Sequence, residues 1–181
     1  MDTKYCLYFH IVLFCLFSFK HAVYAEKPLT WAGVKQTIRK EFPEVPCIST
    51  QELFDNLSNS DTIKPVLLDA RASEEFTVSH IQDAYNAENK KSALMILENM
   101  LKDTLIVVYC SVGYRSAAMV KELMAEGYTN IYNLEGSVFE WANNGWPVYT
   151  AKNKLVKSVH PYDKRWGALL KKELRATNKK K

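Results

Sequence analysis

The chemistry in this sequence gathers around one cysteine. Leu105-Ile-Val-Val-Tyr-Cys110-Ser-Val-Gly-Tyr-Arg115-Ser116 runs from an apolar stretch through a short loop into a helical pattern. A thiol is a strong nucleophile only as its thiolate, and a cationic neighbour or a helix N-terminus favours that form. Arg115 brings charge to the rim, and Gly113 permits the dihedrals that let successive N–H groups turn inward. Such a loop lowers the Cys110 pKa and cradles an anion above the sulfur. The cradle would be Ser111, Val112, Gly113, Tyr114, Arg115 and Ser116, with Ser116 also placed to cap the following helix. Alone, a cysteine at a strand end reads as a small buried hydrophobe. Gly, Arg and Ser beside it, between a strand and a helix, make it a candidate nucleophile.

The elements that must position this loop are legible from the hydrophobic pattern. Pro65 to Leu68 and Leu105 to Tyr109 are apolar runs without alternation, as in strands buried on both sides, and Asn130 to Leu134 is a weaker third. A short strand is expected around Cys47 and Ile48. Helical patterns span Leu29 to Phe42, Ser49 or Thr50 to Leu57, Ser73 to Val78, Lys90 to Leu101, Ser116 to Glu126 and Ser137 to Asn143. Thr30 is the expected N-cap of the first helix and Gly127 the C-cap of the helix from Ser116 to Glu126. Short buried strands alternating with helices predict an α/β fold in three layers, with a small, mainly parallel central sheet flanked by helices. Cys110 then sits at the C-terminal edge of that sheet, where binding crevices form.

Four segments follow. Residues 1–25 have a charged start at Lys4, an apolar run from Tyr5 to Phe19, and small residues at Ala22-Val23-Tyr24-Ala25. That pattern predicts a signal peptide cleaved after Ala25 and an exported, periplasmic chain. Residues 26–45 form a helical lead-in, 46–149 the α/β domain and 150–181 a basic extension. Apolar residues make up 48% of the chain, enough to close a core. Removal of the leader leaves Cys47 and Cys110, too few for a disulfide scaffold. Residues 26–149 carry 11 basic and 17 acidic side chains, whereas 150–181 carry 11 and two. The asymmetry points to a contact of the extension with an acidic protein, a membrane surface or the acidic body of the same domain. Within the extension, Trp166, Leu169 and Leu170 share a face at helical spacing, which predicts a short docked helix before Lys179 to Lys181 fray.

Four motifs in register give the sequence a family resemblance. Cys110-Ser-Val-Gly-Tyr-Arg-Ser116 resembles the Cys-x-x-Gly-x-Arg-Ser loop of single-domain rhodaneses. Leu68-Asp69-Ala70-Arg71 with Glu75-Phe76, Ser79-His80-Ile81 through Asn86, and Leu134-Glu-Gly136 through Trp141 to Val148 resemble the family's other segments. Ser79 and Glu135 depart from it by standing where the family has glycine. The resemblance spans Cys47 to Val148 and implies a sulfurtransferase. Cys110 would take sulfane sulfur from a small anion such as thiosulfate, hold it as a persulfide, and pass it to cyanide or a thiol acceptor. Asp69 and Arg71 would brace the loop.

Other readings are distinguishable. Phosphatases and arsenate reductases on a related fold use Cys-x5-Arg, a wider loop than the four residues separating Cys110 from Arg115. A low-turnover sulfur carrier or partner-binding module would share the same cradle. His80 is expected to fix a turn. Cys47 is expected to be a buried core thiol, with a resolving cysteine for Cys110 as the alternative. His21 and His160 lack partners at metal-ligand spacing, so no metal is expected; neither is an organic cofactor or a nucleic-acid partner.

Overall fold

A computed structural model describes residues 28–177. The leader at 1–25 and Lys179 to Lys181 lie outside the described residues. Among the described residues no helix is long and apolar enough to cross a membrane.

The first element of the described residues is helix α1 (Trp31–Glu41), capped as expected by Thr30, whose side chain accepts from the Gly33 N–H at 3.2 Å. Strand β1 (Cys47–Ile48) leads into α2 (Thr50–Ser58). Ser49 is its N-cap, in a reciprocal box with Glu52. Ser49→Ala should therefore cost about 1 kcal/mol, the typical loss of such a cap, read as a lower urea midpoint at unchanged slope. There follow β2 (Val66–Asp69), α3 (Ser73–Val78), β3 (Tyr85–Asn86), α4 (Lys90–Ile96), β4 (Ile106–Tyr109), α5 (Tyr114–Ala125), β5 (Ile131–Leu134) and α6 (Ser137–Asn143). A hairpin of β6 (Val148–Tyr149) and β7 (Leu155–Val156) crosses into the extension.

The central sheet has the order β1-β5-β4-β2-β3, and all four pairings are parallel. The expected three-layer α/β architecture is present. Helices flank the sheet, with α5 against β4 and β5 and packed on α4, while α2 packs on α6. All four residues of β4 are fully buried, which is why its sequence is apolar without alternation. From β2 the chain steps to β3 on one side; from β4 it steps to β5 on the other. The loops after β2 and β4 therefore leave in opposite directions, and a crevice opens at their C-terminal ends. Cys110 lies in that crevice.

Three boundaries differ from the sequence expectation. Helix α4 ends at Ile96 rather than Leu101, because the chain tightens into a turn with the Met100 N–H on the Leu97 carbonyl. Helix α5 begins at Tyr114, so Ser116 is not its cap. Gly113 holds that position at φ +111°, a left-handed conformation in which a Cβ would be strained. In the extension, the expected docked helix is two 3₁₀ turns, Trp166–Leu169 and Lys172–Leu174. Leu169 and Leu170 are buried, and Asn143 of α6 holds the Leu169 carbonyl and the Lys171 N–H at 2.8 and 2.9 Å.

The two glycine departures have structural accounts. Ser79 has extended backbone at φ −171°, which any residue adopts. Glu135 bridges to Lys35 and Arg39 and so fastens α1 to the sheet edge.

Candidate active site

Cys110 follows the last residue of β4 and is 1% exposed. The Gly113 N–H donates to its sulfur at 3.2 Å, the contact that the left-handed Gly113 makes available. The loop is fastened from behind by the start of α6. There the Val138 and Phe139 N–H groups donate to the carbonyls of Cys110 and Ser111, and the Cys110 N–H donates to Ser137 Oγ at 3.0 Å. With its carbonyls held outward, the loop turns N–H groups towards the sulfur. Asn133 of β5 adds a second brace, donating to the Gly113 carbonyl at 3.1 Å.

The side chains of the expected cradle divide their roles. Arg115 makes a two-pronged ion pair with Glu75 of α3 at 2.8 and 3.0 Å, and Ser111 Oγ donates to the same carboxylate at 3.1 Å. Ser116 Oγ donates to Asn133 Oδ1 at 2.7 Å. The hydroxyls of Ser111 and Ser116 thus face structural partners, while Ser111, Val112, Tyr114 and Arg115 line a cavity of about 140 Å³ beside Cys110. Glu75, buried and central to this arrangement, was legible only as a letter in a motif. Asn133 and Ser137 gave no signal beyond their type. Tyr162 and Trp166, from the extension, complete the cavity wall, and only the apolar character of Trp166 hinted at burial.

Burial works against a charge on the Cys110 sulfur. The Arg115 guanidinium, Ser116 and the Gly113 amide outweigh it and hold the thiol below the usual thiol range. Because the single Ser116 hydroxyl proton goes to Asn133, the lowering at Cys110 rests on Arg115, the Ser116 and Gly113 amides and the start of α5. Burial likewise opposes ionisation of Glu75, but the Arg115 hydrogen bonds and the charges of Arg115 and Arg71 hold its carboxyl below the usual carboxylate range.

Asp69 and Arg71 lie at the end of β2 and are fully buried, away from the cavity. Arg71 Nε and Nη2 donate to Asp69 Oδ2 at 3.1 and 2.7 Å, and Nη2 also donates to the Ser79 carbonyl at 2.6 Å. Register pairs Asp69 with Tyr109, directly before Cys110, so this ion pair holds the neighbouring strand end. His80 stacks on Phe76 with its Nδ1 3.0 Å from the Phe76 carbonyl.

Cys47 is exposed rather than buried in the core, because β1 is a two-residue edge strand. Partial desolvation and the nearby Glu135 charge raise its pKa. Both of these cysteines are free thiols. Cys47 pairs with Asn133, which pairs with Val108, so two strand spacings of about 4.8 Å each separate it from β4. That exceeds the roughly 7 Å Cα limit for a disulfide, and a resolving bond from Cys47 to Cys110 is excluded without rearrangement of the sheet. The opposite pKa directions predict a measurable contrast. Alkylation by iodoacetamide, followed peptide by peptide against pH, should show a lower midpoint for Cys110 than for Cys47; the reverse order would remove the thiolate from the site.

The arrangement is a thiolate cradle on an α/β switch point, and comparison with known proteins gives its class. The rhodanese-like domain family is matched over residues 49–144, and the chain belongs to that family. A sulfurtransferase of Allochromatium vinosum is 30% identical over 101 residues, which cover 56% of this chain and 92% of that protein. A tRNA uridine(34) hydroxylase of Onion yellows phytoplasma is 29% identical over 102 residues, 54% of this chain and 32% of the hydroxylase. The chain thus spans about a third of this longer relative. The crystal structure of a thiosulfate sulfurtransferase from Pseudomonas aeruginosa aligns with TM-score 0.57 at 18% identity, over 76% of this chain and 26% of that one. It shares the fold. Among the described residues no cluster of three His, Cys, Asp or Glu could hold a metal ion.

Proposed function

We propose that this protein is a sulfurtransferase that carries sulfane sulfur on Cys110 as a persulfide. The observation that carries the reading is the Cys110 sulfur at the end of β4, with the Gly113 N–H on it at 3.2 Å and its pKa lowered, against burial, mainly by Arg115. With thiosulfate as donor, the Cys110 thiolate attacks the outer sulfur, the S–S bond of the donor breaks and sulfite leaves with its electron pair. With cyanide as acceptor, carbon attacks the outer sulfur of the persulfide, thiocyanate leaves and the thiolate returns. A thiol acceptor takes the same sulfur in place of cyanide. Neither half-reaction requires a cofactor, and ping-pong kinetics follow from the covalent intermediate. The inward N–H groups stabilise the persulfide anion as they do the thiolate. In this reading the chain works outside the cytoplasm, on the strength of the pattern at 1–25 alone.

Intact mass of the reduced protein before and after thiosulfate tests the proposal. A gain of one sulfur, discharged by cyanide as thiocyanate, is the expected result; an unchanged mass with every sulfane donor tried would sink it. A second reading, a low-turnover carrier, draws on the depth of the sulfur and the narrow cavity above it. It predicts stoichiometric loading without sustained thiocyanate production.

A further inference from the structure

Two pieces of chain outside the family segment 49–144 pack beside the Cys110 loop. From one side comes α1; from the other, the extension. Tyr162 lays its ring 4.9 Å from the Arg115 guanidinium carbon, and Trp166 lines the cavity beside it. The extension is built to hold these rings. Tyr162 takes a left-handed backbone at φ +62°, a strained setting for a bulky side chain. The Trp166 N–H donates to Asp163 Oδ1 at 2.7 Å, and the Gly167 N–H donates to the Asp163 carbonyl at 2.9 Å. A Cβ on Gly167 would lie 2.9 Å from the Pro161 side chain, so the segment before Tyr162 is packed as closely as backbone allows.

A second cavity adjoins the one at Cys110. Tyr114 and Trp166 also line this cavity of about 410 Å³, walled by Leu29, Val34 and Ile38 of the lead-in. Their combined volume falls within the roughly 300–1,000 Å³ of small-molecule sites. At the sulfur end the wall is largely apolar and its cation, Arg115, is already committed to Glu75 at 2.8 and 3.0 Å, while Arg165 lines the larger cavity. That is a poor match for a hydrated inorganic dianion and a good one for an apolar body carrying a terminal sulfur.

We infer that the two adjoining cavities form one groove that binds the apolar body of a small organic sulfane donor, with Tyr162 and Trp166 as specificity-determining residues supplied by the extension. The inference rests on the sulfurtransferase reading above. In the loading step the Cys110 thiolate attacks the terminal sulfur of the donor, forming the persulfide bond. The donor's own bond to that sulfur breaks, and its electron pair leaves with the organic group.

Benzenethiosulfonate is a suitable probe, since it differs from thiosulfate by an aromatic body and releases benzenesulfinate where thiosulfate releases sulfite. The quantity to measure on the full chain is the ratio of kcat/KM for benzenethiosulfonate over thiosulfate, with cyanide as common acceptor. We expect a ratio of at least tenfold, falling fivefold or more in Tyr162→Ala and retained in Tyr162→Phe, which keeps the ring. Thr37→Trp, on an exposed position of α1 that lines the larger cavity, should lower the ratio independently by filling the groove. A ratio near one in the native chain, or one unmoved by both Tyr162→Ala and Thr37→Trp, would overturn the inference while leaving the sulfurtransferase reading intact. Sulfur loading from neither donor would overturn both.

Discussion

Cys110→Ser is expected to take up no sulfur from any sulfane donor and to lower kcat/KM by about 10⁴-fold or more, the scale on which loss of a catalytic nucleophile acts. The physical reason is specific to sulfur. A serine hydroxyl in the same cradle stays protonated at neutral pH, and its oxygen cannot hold a transferable sulfane sulfur. The substitution is nearly isosteric at a buried position whose backbone is fixed by Ser137 and by the N–H groups that open α6. Stability should therefore change little, so loss of activity reports chemistry and not folding. The check is intact mass after thiosulfate or benzenethiosulfonate, together with thiocyanate release. Sulfur retained by Cys110→Ser would shift the chemistry to Cys47, the other thiol among the described residues.

The second large effect is on stability. Asp69→Ala leaves the Arg71 guanidinium fully buried and without its counter-charge. Arg71 makes hydrogen bonds to Asp69 at 2.7 to 3.1 Å and to the Ser79 carbonyl at 2.6 Å, while its Nη1 has no hydrogen-bond partner. Removing one member of a buried pair costs about 3–5 kcal/mol, because the stranded charge can neither neutralise nor reach water. That is a large share of the roughly 5–15 kcal/mol that holds a domain together. A fall in melting temperature on the order of 10 °C should follow. The double variant Asp69→Leu/Arg71→Met is expected to recover most of the loss, since it removes both charges and keeps the volume. Urea denaturation of the three proteins decides the matter. A double variant as unstable as Asp69→Ala would mean that the hydrogen bond to Ser79, rather than charge pairing, carries the stability.

These two expectations come from different depths of the sequence. The nucleophile could be read directly. An apolar run without alternation, then cysteine, then a glycine three residues on and a helical pattern, dictates a buried strand, a tight left-handed step and a helix N-terminus. Each is a local consequence of residue type. The same locality made the strands, most helix starts and the parallel sheet legible, because hydrophobic period and capping residues act over a few neighbours. It failed where two local options were close in energy. Ser116 has the chemistry of a cap, but Gly113 reaches the required backbone conformation first and Asn133 of β5 claims the Ser116 hydroxyl.

Residue pattern was enough to give the α/β order, the cysteine loop and the electrostatic asymmetry between body and extension. Tertiary structure alone decided that Glu75 takes up the charge of Arg115, that Cys47 lies two strands from Cys110 at an exposed edge, and that Tyr162 and Trp166 return to wall the cavity. Each of these joins residues far apart in the chain. Such pairings depend on how loops close over the sheet, and no period or spacing in a linear sequence encodes that closure.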